Sequence, residues 1–273
     1  GESGCGKSTV GRSLLQIIDN PGKIIEGDIQ FQSDSAGGIV DLAQEKPGSP
    51  LMRQVRGGEI ALIFQEPMTS FSPVHTVGNQ VVEAIQLHMD VSKKIALARA
   101  EELFDLVGIP NPKSRLNEYA YQLSGGLRQR AMIAMALSAD PKLLIADEPT
   151  TALDVTTQAQ ILELLKTLQK QNNMAIVMIT HNLGVIAEMA DDVVVMYLGK
   201  AVEVGNIDDI FHDPQHPYTQ GLLKSIPSIY TEGEGRLPSI KGSIPHPFNR
   251  PSGCTFRTRC PDYIEGECNS AIP

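Results

Sequence analysis

The chain has 273 residues, enough to bury one large core or two smaller ones. Its hydrophobic content is 41%, ordinary for a globular chain, and no apolar run is long enough to span a bilayer. A formal net charge of -9, no Trp and few aromatics argue against a general nucleic-acid binder, and 4 Cys in this length do not read as a secreted disulfide scaffold.

The N-terminal residues 1–9 read Gly-Glu-Ser-Gly-Cys-Gly-Lys-Ser-Thr, a full G-x-x-x-x-G-K-S match that closes on Ser8. Such a loop has a mechanism. Gly1, Gly4 and Gly6 let the backbone bend tightly and aim N–H groups at phosphate oxygens. Lys7 brings positive charge to the outer phosphates, and the Ser8 hydroxyl can ligate Mg²⁺. A helical stretch from Thr9 to Ile18 follows, and its N-terminus adds favourable partial charge. A phosphate loop joins a strand to a helix, and no strand precedes this one. The chain therefore reads as a fragment without its N-terminal strand.

Residues 24–31 predict a short strand after Pro21-Gly22, and the polar, Gly-rich residues 33–58 predict an irregular surface excursion. Residues 59–65 form an apolar run of strand length that ends on Gln65 and stops at Pro67. Helical periodicity then covers residues 76–108, with Val77, Val81, Val82, Ile85 and Leu87 near one face and Gly108 closing the segment. Residues 123–138 predict a buried helix capped by Ser124. Leu143 to Ala146 suits a doubly covered parallel strand, and Asp147-Glu148 ends it. An amphipathic helix over 155–171, a buried strand over 175–179, a helix over 183–190 and a strand over 192–198 follow. Strands alternating with helices predict an α/β fold with a parallel sheet. From about residue 206 the chain becomes Pro-rich and predicts an appended segment with little regular structure.

An apolar strand followed by Asp147-Glu148 completes the phosphate-loop pattern. Asp147 at the strand end can hold Mg²⁺, and Glu148 is placed to polarise a water against a γ-phosphate. The run Leu123, Ser124, Gly125, Gly126, Leu127, Arg128, Gln129 resembles the signature of ABC-type ATPases. The order phosphate loop, Gln65, signature, Asp147-Glu148, Ala152-Leu153-Asp154, His181 resembles that family over residues 1–205. The resemblance implies a P-loop NTPase core over 1–65 and 141–205, an inserted α-helical subdomain over 66–140 and a C-terminal extension over 206–273.

It also implies roles. Glu148, His181 and Gln65 would be catalytic, with His181 on the γ-phosphate and Gln65 on Mg²⁺ or the attacking water. Gly1, Ser3, Gly4, Cys5, Gly6, Lys7, Ser8 and Thr9 would hold ATP, and Ser8, Gln65 and Asp147 would hold Mg²⁺. Leu123, Ser124, Gly125, Gly126 and Gln129 would meet ATP held by a partner subunit, with Asp154 at the dimer seam. A Gly-rich helix N-terminus is itself an anion site, and on a separate element it can act in trans.

Two further segments resemble one branch of the family. Phe64-Gln65-Glu66-Pro67-Met68-Thr69-Ser70-Phe71-Ser72-Pro73 and the run from His212 to Leu223 are similar to peptide and nickel uptake ATPases. The Cys254, Cys260, Cys268 tail is similar to the end of those subunits. Some of these carry a [4Fe–4S] cluster there, which makes the three thiols candidate ligands; free cysteines are the alternative. The branch implies an ATP-hydrolysing subunit that energises uptake of di- or oligopeptides or nickel. Its partners would be a second, identical or paralogous ATPase, two permease subunits and an extracytoplasmic solute-binding protein, with no nucleic acid. Its place would be peripheral, on the cytoplasmic face of the inner membrane. The rival reading is a soluble ABC ATPase without a permease.

Overall fold

The computed structural model describes residues 2, 4–65, 70–151, 153–226 and 239–270. The chain divides into two compact units, one of Ser8–Ile179 and one that joins Gly1–Lys7 to Thr180–Pro273.

The Ser8–Ile179 unit is built on a parallel sheet. Strands β3 (Ile60–Ile63), β4 (Leu143–Asp147) and β5 (Ala175–Ile179) lie in that order. Ile60 pairs with Leu143, and Leu143 with Ala175. Parallel neighbours need long crossovers, and helices supply them. Leu144, Ile145 and Ala146 of the central strand are fully buried, as the uninterrupted apolar run of a strand covered on both faces requires. Helix α1 (Lys7–Leu14) lies close to this sheet through Gly11. A Cβ at Gly11 would come 2.9 Å from Ile179 Cδ1 and 3.1 Å from Ile145 Cγ2, so a side chain there would make both isoleucines shift.

Residues 33–58 are not the surface excursion that their composition predicts. Strands β1 (Gln30–Ser33) and β2 (Gly38–Asp41) form an antiparallel hairpin, and α2 (Pro50–Gln54) follows. Leu42, Met52 and Val55 are fully buried in one cluster with Leu15, Ile60, Ile145 and Ile179. The few apolar residues of a polar segment thus seal one side of the sheet. Glu59 ties the hairpin down: its carboxylate accepts bonds from Ser33 Oγ (2.8 Å) and from the N–H groups of Asp34 (2.8 Å) and Ser35 (3.1 Å).

Between β3 and β4 come α3 (Val77–His88), α4 (Lys93–Leu106), α5 (Pro112–Arg115) and α6 (Gly125–Ala136). Thr76, Ser92 and Ser124 cap α3, α4 and α6 with their side-chain oxygens. Val81 and Ile85 of α3, Ala100 and Leu103 of α4 and Ala131 and Ile133 of α6 are buried where these helices pack. Helix α7 (Val155–Asn172) then returns the chain to β5.

In the second unit, helix α8 (Leu183–Met189) leads to an antiparallel hairpin, β6 (Asp192–Tyr197) with β7 (Lys200–Asn206). The segment beyond residue 206 is more regular than its prolines suggest. It holds α9 (Ile207–His212) and α10 (Pro217–Lys224). Pro217 opens α10 at the first turn, where the missing N–H costs nothing, and His216 caps it through Nδ1. Tyr197, Tyr218 and Phe256 form an aromatic core with centroids 4.8–5.3 Å apart, joined by Val195, Ile210, Cys254 and Cys268. No helix among the described residues is long and apolar enough to cross a membrane.

Candidate active site

In the Ser8–Ile179 unit, the C-terminal ends of β3 and β4 carry the polar residues, the usual ligand edge of a parallel sheet. Ser8, in the first turn of α1, donates its hydroxyl to Asp147 Oδ1 at 3.0 Å across 139 residues of sequence. Asp147 is buried (5% exposed) as the last residue of β4. A hydroxyl and a carboxylate oxygen side by side are the hard donors that Mg²⁺ takes, and a magnesium site needs few protein ligands. These residues therefore fit the ion.

Glu148 follows in a left-handed backbone conformation (φ 48°). Its N–H donates to the Ile179 carbonyl at 2.8 Å, which fixes the turn against β5. Gln65 Nε2 donates to Glu148 Oε2 at 3.1 Å, and Thr151 Oγ1 donates to the same oxygen at 2.9 Å. Gln65 arrives just past the end of β3. The expected pair Gln65 and Glu148 is thus brought together, and Thr151 joins it. Sequence reasoning passed over Thr151; its spacing of three from Glu148 was the available signal.

In the other unit, the loop glycines Gly4 (φ 77°) and Gly6 (φ 94°) adopt left-handed conformations. Alternation of this kind turns successive N–H groups inward and makes an anion-binding hollow. Cys5 is buried, and its carbonyl accepts the Gly199 N–H at 2.9 Å. Lys7 Nζ lies 3.1 Å from the Glu2 carbonyl oxygen and 3.6 Å from Cys5 Sγ, folded over its own loop. Thr9 is exposed. His181 is exposed and follows β5 directly in the chain. Gly1, Ser3 and Ala152, and Glu66–Thr69 of the segment after Gln65, lie outside the described residues.

The signature residues sit on a different element with partners of their own. Ser124 Oγ accepts the Leu127 N–H at 3.4 Å, and Gly125 has open space where a side chain would be. Leu123 and Gln129 are buried at 3% exposure, and Gln129 Nε2 has no hydrogen-bond partner among the described residues. Asp154 caps α7: it accepts from the Thr157 N–H at 3.0 Å and from Thr157 Oγ1 at 2.7 Å. Those bonds hold its carboxyl below the usual range.

All three thiols of the cysteine tail are free. Cys254, Cys260 and Cys268 do converge: the Cys254 N–H donates to the Cys268 carbonyl at 2.9 Å, and Cys260 packs against the cluster that holds both. Among the described residues, however, no group of three or more His, Cys, Asp or Glu is arranged to hold a metal ion. Cys254 and Cys268 are buried among aromatic rings, where a thiol behaves as a small apolar side chain. Burial pushes the Cys260 thiol up, with the neighbouring Asp262, Cys254 and Cys268 adding to the shift.

Comparison with known proteins agrees with this geometry. The sequence model of the family described as "ABC transporter" matches residues 1–151, and that of "Oligopeptide/dipeptide transporter, C-terminal region" matches residues 202–268. The chain is 48% identical over 273 residues to the dipeptide transport ATP-binding protein DppD of Haemophilus influenzae, covering 100% of this chain and 80% of that protein. It is 50% identical over 260 residues to the oligopeptide transport ATP-binding protein OppD of Bacillus subtilis, covering 95% and 70%. Among solved structures, the dimeric post-hydrolysis state of the ATP-binding cassette MJ0796 bound to ADP and Pi matches with a TM-score of 0.63 at 26% identity, over 76% of this chain and 82% of that one. The chain belongs to the ABC transporter family, as an ATP-binding, ATP-hydrolysing subunit with the C-terminal region of the oligopeptide and dipeptide transporters.

Proposed function

We propose that this subunit hydrolyses ATP to drive uptake of dipeptides or oligopeptides through a membrane importer. The observation that carries the reading is the pairing of Ser8 with Asp147 and of Gln65 and Thr151 with Glu148 at one edge of a parallel sheet, in a chain that ends in an oligopeptide/dipeptide-transporter region. The relatives are named for peptides, and that favours peptide over nickel as cargo.

Phosphoryl transfer to water asks the protein mainly for positioning and charge neutralisation. The loop N–H groups between Gly4 and Lys7 and the Lys7 ammonium bind the phosphates. Ser8 and Asp147 would hold Mg²⁺, which when bound would neutralise charge on the phosphate oxygens. Glu148 accepts a proton from the attacking water as it adds to the γ-phosphorus and ADP departs. Gln65 and Thr151 aim the Glu148 carboxylate, and His181 bonds the γ-phosphate. Ser124, Gly125 and Gly126 present a helix N-terminus to nucleotide held by a second ATPase subunit. The dimeric state of the cassette bound to ADP and Pi supports that arrangement. The helices of residues 66–140 dock on two permease subunits, and a solute-binding protein outside the membrane delivers cargo. The subunit works peripherally at the cytoplasmic face of the inner membrane.

The test is to purify the subunit with its co-expressed permeases and to measure MgATP hydrolysis with and without peptides. Stimulation by peptides supports the reading. Stimulation by Ni²⁺ alone moves the cargo to metal, and a subunit that binds no permease contradicts import.

A further inference from the structure

We infer that Arg259 and Tyr218, in the C-terminal region, are positioning residues for the phosphate loop. The inference rests on the ATPase reading and adds to it a duty for a region that carries no phosphate-loop, Asp-Glu or signature motif.

Glu2 is the first variable residue of the loop motif, and it is held twice. Its N–H donates to the Tyr218 hydroxyl at 2.8 Å. Its carboxylate receives the Arg259 guanidinium fork to fork, Nη1 to Oε2 at 2.7 Å and Nη2 to Oε1 at 3.2 Å. The two anchors lie 216 and 257 residues away in sequence. Both the main chain and the side chain of one loop residue are therefore fixed by the far end of the protein.

The anchors are themselves rigid. The Arg259 side chain is 4% exposed. Its remaining donors go to the Lys241 carbonyl (3.1 Å), the Ile240 carbonyl (3.4 Å) and the Tyr197 hydroxyl (3.4 Å). The guanidinium also lies 5.9 Å from the Tyr197 ring centroid. Tyr218 is fully buried between Tyr197 and Phe256. Neither side chain can follow the loop if the loop drifts.

A pair of this kind is a poor device for stability alone. Taking two charges out of water costs about what their attraction returns, and apolar residues of similar volume often serve as well or better. What a bidentate pair adds is fixed geometry. A phosphate loop needs that, because it works by aiming N–H groups, and misplacement by about 1 Å can cost on the order of a hundredfold. The loop serves bound nucleotide in ground and transition states alike. Loss of the anchor therefore acts chiefly on KM for ATP and far less on kcat.

The experiment uses the subunit assembled with its partners, and MgATP is the titrated ligand. Wild type, Tyr218→Phe, Glu2→Gln, Arg259→Met, Arg259→Lys and the double variant Glu2→Gln/Arg259→Met are compared, with thermal melts run in parallel. The expected result is a KM raised about fivefold or more in Arg259→Met and Tyr218→Phe with a much smaller change in kcat. Arg259→Lys restores part of the loss, since it keeps the charge and loses the fork. The double variant resembles the worse single variant, as residues acting through one contact do. If Arg259→Met does not fold, Tyr218→Phe and Glu2→Gln decide the matter. Wild-type KM in those two variants overturns the inference, and so does a lowered melting temperature with KM unchanged. A wild-type complex that neither binds nor hydrolyses MgATP is the failure of the ATPase reading itself, and the inference falls with it.

Discussion

Glu148 is held by two donors on one carboxylate oxygen, Gln65 at 3.1 Å and Thr151 at 2.9 Å. Replacement by Gln keeps the size and removes the proton acceptor. Glu148→Gln is predicted to lower steady-state ATPase activity by about a hundredfold or more, the scale of a general base, while nucleotide still binds and the dimer is trapped with ATP. Single-turnover kinetics and gel filtration with MgATP check both halves. Normal turnover in that variant would mean that the base lies elsewhere. Glu59 is a second informative carboxylate, with a structural duty. It is 8% exposed and accepts bonds from Ser33, Asp34 and Ser35. Burial pushes its carboxyl up, and those bonds more than reverse the effect, so the net shift is downward. A lowered folded pKa means that the unfolded chain takes the proton first, near about pH 4.3. The stabilisation is therefore fully present above that value and is lost as pH falls through the lower folded value. Glu59→Gln points an amide donor at N–H groups and is predicted to cost about 1–3 kcal/mol near neutral pH. Its stability should also fall less steeply on acidification than that of wild type, measured as melting temperature from pH 6 to pH 3.

Gly78 shows how tightly the helices between β3 and β4 are fitted. Its N–H donates to the Leu116 carbonyl at 2.9 Å. A Cβ there would strike that carbonyl oxygen and come 2.8 Å from Leu116 Cβ. Gly78→Ala is therefore predicted to destabilise by about 1–3 kcal/mol through overpacking, despite its better helix propensity, and chemical denaturation reads the difference. At this scale the sequence was legible wherever one periodicity ruled. The apolar run of β5 matched residues 175–179 in extent, though only Ile179 of the five is buried, and Ser124 capped α6 as its position before Gly-Gly suggested. It was illegible where isolated apolar residues in polar surroundings decide the fold. Leu42, Met52 and Val55 carry no period of their own, yet each is fully buried because the sheet edge beside them needs cover. The C-terminal prolines misled for a different reason. Pro217 reads as a breaker in isolation and is a helix starter once His216 caps it.

At the scale of the whole molecule, the chemistry was easier to read than the architecture. Ser8, Gln65, Asp147 and Glu148 stood out because each ends a motif, and motif ends are where the strands of a parallel sheet deliver side chains. Glu2, Arg259 and Tyr218 gave no such signal, since their partnership spans more than 200 residues and depends on the aromatic core around Tyr197 and Phe256. The cysteine tail was legible as a cluster: Cys254, Cys260 and Cys268 gather in one packed group. On the proposed reading, this subunit spends ATP, through Glu148, on peptide uptake. Its most direct test is the MgATP hydrolysis rate of the assembled importer with saturating dipeptide or oligopeptide and loaded binding protein, measured for wild type and Glu148→Gln. Peptide-stimulated turnover is expected in wild type, with its loss in the variant. Hydrolysis indifferent to peptide, or intact in Glu148→Gln, would contradict it.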